Sequence, residues 1–144
     1  MAIPLVPQLL RVHLAELAQQ GQRMDGRDQW ESRDIVLQTN VLPNAEGSAM
    51  VTMGDTIVYA GVKFQIMTPY PDRPNQGGLM CSAEVRPVAG RHWEAGPPSP
   101  ESIELGRVVD RGIRESGCID VDDLCIIPGE KAWQVILDLF AVSD

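Results

Sequence analysis

The segment Ala132-Trp133-Gln134-Val135-Ile136-Leu137-Asp138-Leu139-Phe140-Ala141-Val142 constrains the fold more than any other stretch. Read as a strand, it sends apolar side chains to both of its alternating faces. A strand of that kind is normally covered on both sides. Only two helical patterns precede it and two residues follow it. The expectation is therefore a sheet whose cover is incomplete, supplied by a longer parent chain or by another chain.

The rest of the chain reads as alternating punctuation and pattern. Pro4 to Gln20 repeats leucine at three-to-four spacing (Leu5, Leu9 or Leu10, Leu14, Leu17), predicting a helix that stops at Gly21. A polar turn, Arg23-Met24-Asp25-Gly26-Arg27, follows. Ile35, Leu37 and Val41 open a β-rich region, and Ser48–Met53 and Thr56–Val62 flank Gly54-Asp55 as a hairpin would. Another strand is expected around Leu79 to Val85, between Pro- and Gly-rich loops at 68–78 and 87–100. Ser99-Pro100 is a good helix start, so a second helix is predicted over 100–116 with Gly117 as its stop. Leu124 to Ile127 and Ala132 to Val142 complete the strands. The 144 residues are most simply one domain with a mixed α/β, or α+β, fold. Its parts are an N-terminal helical segment over 1–22 and a sheet plus helix over 23–144.

Several function classes are poorly served. No apolar run approaches the roughly 18–20 residues a membrane span needs. The first ten residues lack a basic stretch and a cleavage pattern, so a cytoplasmic protein is expected. Cys81, Cys118 and Cys125 are an odd set without a Cys-x-x-Cys pair, and His13 and His92 are far apart, so no metal site is predicted. No Gly-x-Ser-x-Gly elbow and no Gly-rich nucleotide loop is present. Trp93 beside His92 could stack on a base or simply shield apolar surface. Asp120, Asp122 and Asp123 fit an acidic turn better than a calcium loop. A net charge of −8 argues against non-specific coating of nucleic acid, although it leaves room for a local basic patch.

The second helix holds the best candidates. At 100° per residue Arg107, Arg111 and Arg114 fall within an arc of roughly 60°, with Leu105, Val109 and Gly112 on the other side to pack on the sheet. Three guanidinium groups on one face suit phosphate positioning. A salt-bridged solvent face suits them too, since Arg107–Asp110 and Arg111–Glu115 are spaced to pair along the helix. Spacing alone favours the second reading.

Taken in order, the blocks resemble the RNase PH family of phosphorolytic exoribonucleases. The matching stretches are Arg23-Met24-Asp25-Gly26-Arg27, Ala45-Glu46-Gly47-Ser48-Ala49, Met53-Gly54-Asp55-Thr56, Ala60-Gly61-Val62-Lys63, Ala83-Glu84-Val85-Arg86-Pro87, Ile103-Glu104-Leu105-Gly106-Arg107 and Ile127-Pro128-Gly129. The most specific is Val108-Val109-Asp110-Arg111-Gly112-Ile113-Arg114-Glu115-Ser116. The likeness runs from about Leu5 onward and looks closest to the non-catalytic subunit type of the archaeal exosome ring.

The resemblance implies an RNase PH-like (ribosomal protein S5 domain 2-like) fold, truncated before its C-terminal half. It implies a hexameric ring in which such a subunit alternates with a catalytic sister, degrading single-stranded RNA 3′ to 5′ with inorganic phosphate, and carrying RNA-binding cap proteins. It implies no catalytic residue and no cofactor here, phosphate being used by the sister. Active relatives carry an arginine pair just before the second helix, where this chain has Pro97-Pro98-Ser99-Pro100. Their Gly-Ser/Thr-Arg phosphate loop would fall beyond Asp144. The resemblance reverses the weighting from spacing for Arg107 and Arg111 as RNA-binding residues, with Arg114 third. A self-sufficient phosphorolytic nuclease and a purely structural module of the same fold stand as alternatives.

Overall fold

In a computed structural model the described residues are 8–90 and 93–143. They divide into two compact units, Met1–Arg33 and Asp34–Asp144. The first unit contains α1 (Gln8–Gln19). The expected start of that helix at Pro4 lies outside the described residues, as does His92. Beyond α1 the chain folds back on itself: the Gln22 amide donates to the Leu17 carbonyl, and the Gln29 amide to that of Gly21. An isolated bridge joins Gln22 to Asp28. These bonds fold residues 20–29 back toward the end of the helix within the first unit.

Among its described residues the second unit has one six-stranded sheet and a single long helix. Its strands are β1 (Ile35–Thr39), β2 (Gly47–Met53), β3 (Thr56–Met67), β4 (Gly78–Val85), β5 (Cys125–Ile127) and β6 (Lys131–Ser143), and α2 spans Pro100–Ser116. β1, β2 and β3 form an antiparallel meander whose second turn is Gly54-Asp55, pairing Met53 with Thr56. β3 continues antiparallel to β6, and β6 runs parallel to β4 on its other side. The order is β1-β2-β3-β6-β4, with β5 pairing β6 off that path. β4, α2 and β6 thus make a crossover unit, which is how two parallel strands must be joined.

This placement accounts for the apolar last strand in part. β6 is flanked by β3 and β4 along most of its length, and Ala132 and Val135 are buried. From Ile136 onward its residues are half-buried, and α2 packs chiefly on β4. Across the described residues only Leu79, Ala83, Ala89, Ala132 and Val135 form a buried apolar core. Ile35 and Leu37 of β1 are 65% and 62% exposed. Cover on both faces, as the sequence calls for, is not reached within these residues.

The helix sits on the sheet differently from the wheel-based expectation. Leu105 is 45% exposed and Gly112 has no neighbour where a Cβ would be. Buried instead are Ser102 and Gly106, with Val109 and Ile113 half-buried. Small residues win because the helix lies close: a Cβ on Gly106 would stand 3.2 Å from the Ala83 amide nitrogen and 3.6 Å from the Cys81 carbonyl oxygen. Backbone cannot step aside as a flexible side chain can. Gly106→Val should therefore destabilise the fold by about 1–3 kcal/mol, as overpacking does, read as a lower urea midpoint at unchanged slope. A midpoint equal to the parent's would contradict the close approach. No described helix is long and apolar enough to cross a membrane.

Candidate nucleic-acid interface

The ends of α2 are built as the sequence suggests. Ser99, extended at φ −69°, ψ 161°, accepts the Ser102 amide on its hydroxyl at 3.2 Å. Glu101 stands in the first turn, its carboxyl held below the usual range by hydrogen bonding to its own backbone amide and then by the Ser99 hydroxyl. A carboxylate on the positive end of the helix dipole is favourable, and it means this end already has its anion. Gly117 terminates the helix at φ 65°, donating its amide to the Arg114 carbonyl at 3.3 Å.

Between those ends the three arginines take two different roles. Arg114 is engaged within the fold. Its Nε donates to Asp110 Oδ2 at 2.6 Å, and its Nη2 donates both to Asp110 Oδ1 at 3.1 Å and to the Leu79 carbonyl of β4. The Asp110 carboxylate beside it raises the Arg114 pKa further, so the charge is permanent. Arg107 and Arg111, by contrast, are exposed and make no hydrogen bond or ion pair among the described residues. The expected Arg107–Asp110 pair does not form, because Asp110 has turned to Arg114; among the described residues Arg111 and Glu115 are not paired either. The two arginines stand four residues apart on α2, so their backbone positions are separated by about 6 Å along the axis. Arginine there presents a planar fork that suits phosphate oxygens in pairs.

Other charged residues of the quoted blocks serve the fold. Arg27 clasps Asp25, Nη2 to Oδ2 at 2.7 Å, and donates from Nη1 to the Glu31 carbonyl at 2.8 Å. Hydrogen bonding from Arg27 lowers the Asp25 pKa. Lys63 bonds Glu46 at 3.1 Å and the Asn44 carbonyl at 2.7 Å, joining two blocks seventeen residues apart. Arg86 pairs with Glu84 at 3.0 Å and lies over the Phe140 ring at 4.7 Å. Trp93 stands beside Gly90, at 3.4 Å from where a Cβ would be. The Asp122 amide donates to Asp120 Oδ1 at 2.9 Å, as an acidic turn should. Among the described residues no His, Cys, Asp or Glu group could hold a metal ion.

The family described as "3' exoribonuclease family, domain 1" (RNase_PH) matches residues 31–144. The chain belongs to the RNase PH family. Relatives within it include an exosome complex component Rrp42 of Methanosarcina acetivorans, 46% identical over 97% of this chain and 53% of the relative. The Archaeoglobus fulgidus protein of that name is 50% identical over 85% of this chain and 48% of the relative. Among solved structures, a chain of the Archaeoglobus fulgidus exosome with RNA bound to the active site matches at TM-score 0.89 and 46% identity, covering 94% of this chain and 54% of that one. An archaeal exosome core matches at TM-score 0.81 and 42% identity, over 94% and 51%. The chain thus spans about half the length of the relatives it matches. The mixed α/β sheet-and-helix architecture is the RNase PH-like one.

Proposed function

We propose that this chain is the non-catalytic, RNA-positioning half of an RNase PH-like pair in an exosome-type ring. Arg107 and Arg111 would hold backbone phosphates of single-stranded RNA while a sister subunit carries out phosphorolysis. The observation that carries this reading is the free state of those two arginines on a helix whose third arginine, Arg114, is tied down. Two further features support it. Where active relatives would bear an arginine pair, this chain has Pro97-Pro98-Ser99-Pro100, a cap for the helix without a cation. The relatives at 42–50% identity bear the name of an exosome component.

Phosphate contacts position a strand without reading its sequence, so the reading predicts RNA binding with little base preference. It also predicts that incubating the pure chain with RNA and inorganic phosphate yields no nucleoside diphosphates. Co-assembly with a catalytic RNase PH-like sister should restore their release. Nucleoside diphosphates from the pure chain would instead establish a self-sufficient nuclease.

A further inference from the structure

Asp110 lies three residues after Arg107 and four before Arg114, so either arginine is within reach of its carboxylate along the helix. That carboxylate is only 24% exposed, against 46% for the Arg114 side chain. A part-buried carboxylate left without a partner is costly, and it takes whatever cation is near. In the structure it takes Arg114, through two N–H donors, while the same guanidinium spans to the Leu79 carbonyl thirty-five residues away. Arg107 is left exposed and unpaired.

We infer that Arg114 is a positioning residue which, by occupying Asp110 from the last turn of α2 while bonded to the Leu79 carbonyl of β4, keeps Arg107 free to bind an RNA phosphate. The inference rests on the RNA-positioning reading and adds the device that maintains it. Geometry makes Arg114 the stronger claimant. Its fork closes on both carboxylate oxygens and still reaches a backbone acceptor of the sheet, whereas Arg107 has only the carboxylate to gain. Losing Arg114 therefore does two things at once: it unties the end of α2 from β4, and it releases Asp110 to neutralise Arg107. The second effect is what separates positioning from mere support, because it can be reversed by removing the carboxylate.

The test uses the full chain co-assembled with its RNase PH-like sister, titrated with a labelled single-stranded oligoribonucleotide at several salt concentrations. Each neutralised phosphate of a single strand contributes about 0.7 to the slope of log affinity against log salt. Arg114→Met is expected to flatten the slope by about 0.7. The double variant Asp110→Asn with Arg114→Met is expected to return it to the parent value. An unchanged slope in Arg114→Met overturns the inference. So does a slope that stays flat in the double variant, since that is the result if Arg114 touches RNA itself or serves only as a strut. Should Arg114→Met fail to assemble, Arg114→Lys, which keeps a cation on Asp110, is expected to show the parent slope, and a flattened one overturns the inference. Charge reversal of Arg107 and Arg111 in parallel reads the underlying RNA role separately: no change there would sink that role, whatever Arg114 does.

Discussion

Replacing Arg107 and Arg111 together by glutamate is expected to lower the affinity of the assembled complex for single-stranded RNA by at least about 100-fold. Hydrogen bonds to charged groups contribute about 1.5–3 kcal/mol each, and each tenfold in affinity is about 1.4 kcal/mol. Two lost contacts already reach that fall before the repulsion of the new carboxylates is counted. The salt slope should flatten by about 1.4, two phosphates' worth for a single strand. Both side chains are exposed and unpaired among the described residues, so the fold should lose little and the thermal midpoint should barely move. Arg→Lys at both positions keeps the charge but not the planar fork. It should retain the slope while weakening binding modestly. Affinity and slope both at parent values in the glutamate variant would remove RNA from the account of this helix.

Gly77→Ala is expected to be the most damaging single methyl in the sheet unit. A Cβ there would stand 2.4 Å from the Trp133 carbonyl oxygen of β6 and 2.4 Å from Leu124 Cβ. Neither neighbour is free to retreat. The Gly77 amide donates to the Val121 carbonyl at 2.8 Å, and the Trp133 amide donates to the Leu124 carbonyl at 2.8 Å. Making room means breaking one of these bonds, at about 1 kcal/mol, on top of overpacking strain of about 1–3 kcal/mol. A loss near 3 kcal/mol is expected, measured as the urea midpoint at unchanged slope. A loss below about 0.5 kcal/mol would show that the approach of β4 to the loop before β5 is looser than described.

Local signals carried most of the architecture. Ser99-Pro100 and Gly117 bracket α2 because a hydroxyl cap, a proline-compatible first turn and a left-handed stop are properties of single residues. Gly54-Asp55 marks the hairpin for the same reason. The parallel pairing of β4 with β6 was not legible, since its register joins residues such as Ser82 and Asp138 that are fifty-six apart. Nor was the packing face of α2. Hydrophobicity pointed to Leu105, whereas close approach selected Gly106 and Ser102, and closeness is not a property of either residue alone.

The candidate site divides in the same way. Spacing placed Arg107, Arg111 and Arg114 on one arc, and all three lie on α2. It could not show that Arg114 would be claimed by the Leu79 carbonyl and Asp110, because that carbonyl comes from a distant strand. Once Arg114 is taken, the intrahelical pairing that would have silenced Arg107 has no free carboxylate in Asp110. The quoted blocks likewise mix purposes: Lys63 with Glu46 and Arg86 with Glu84 build the sheet unit, while Arg107 and Arg111 build nothing within it.

Crosslinking tests the central claim most directly. Single-stranded RNA bearing photoreactive bases would be bound to the chain co-assembled with its catalytic RNase PH-like sister, irradiated, and the attached peptides identified by mass spectrometry. The account predicts adducts on the peptides of α2 around Arg107 and Arg111, lost when both are glutamate. RNA attached elsewhere on the assembly with α2 unmodified would contradict it.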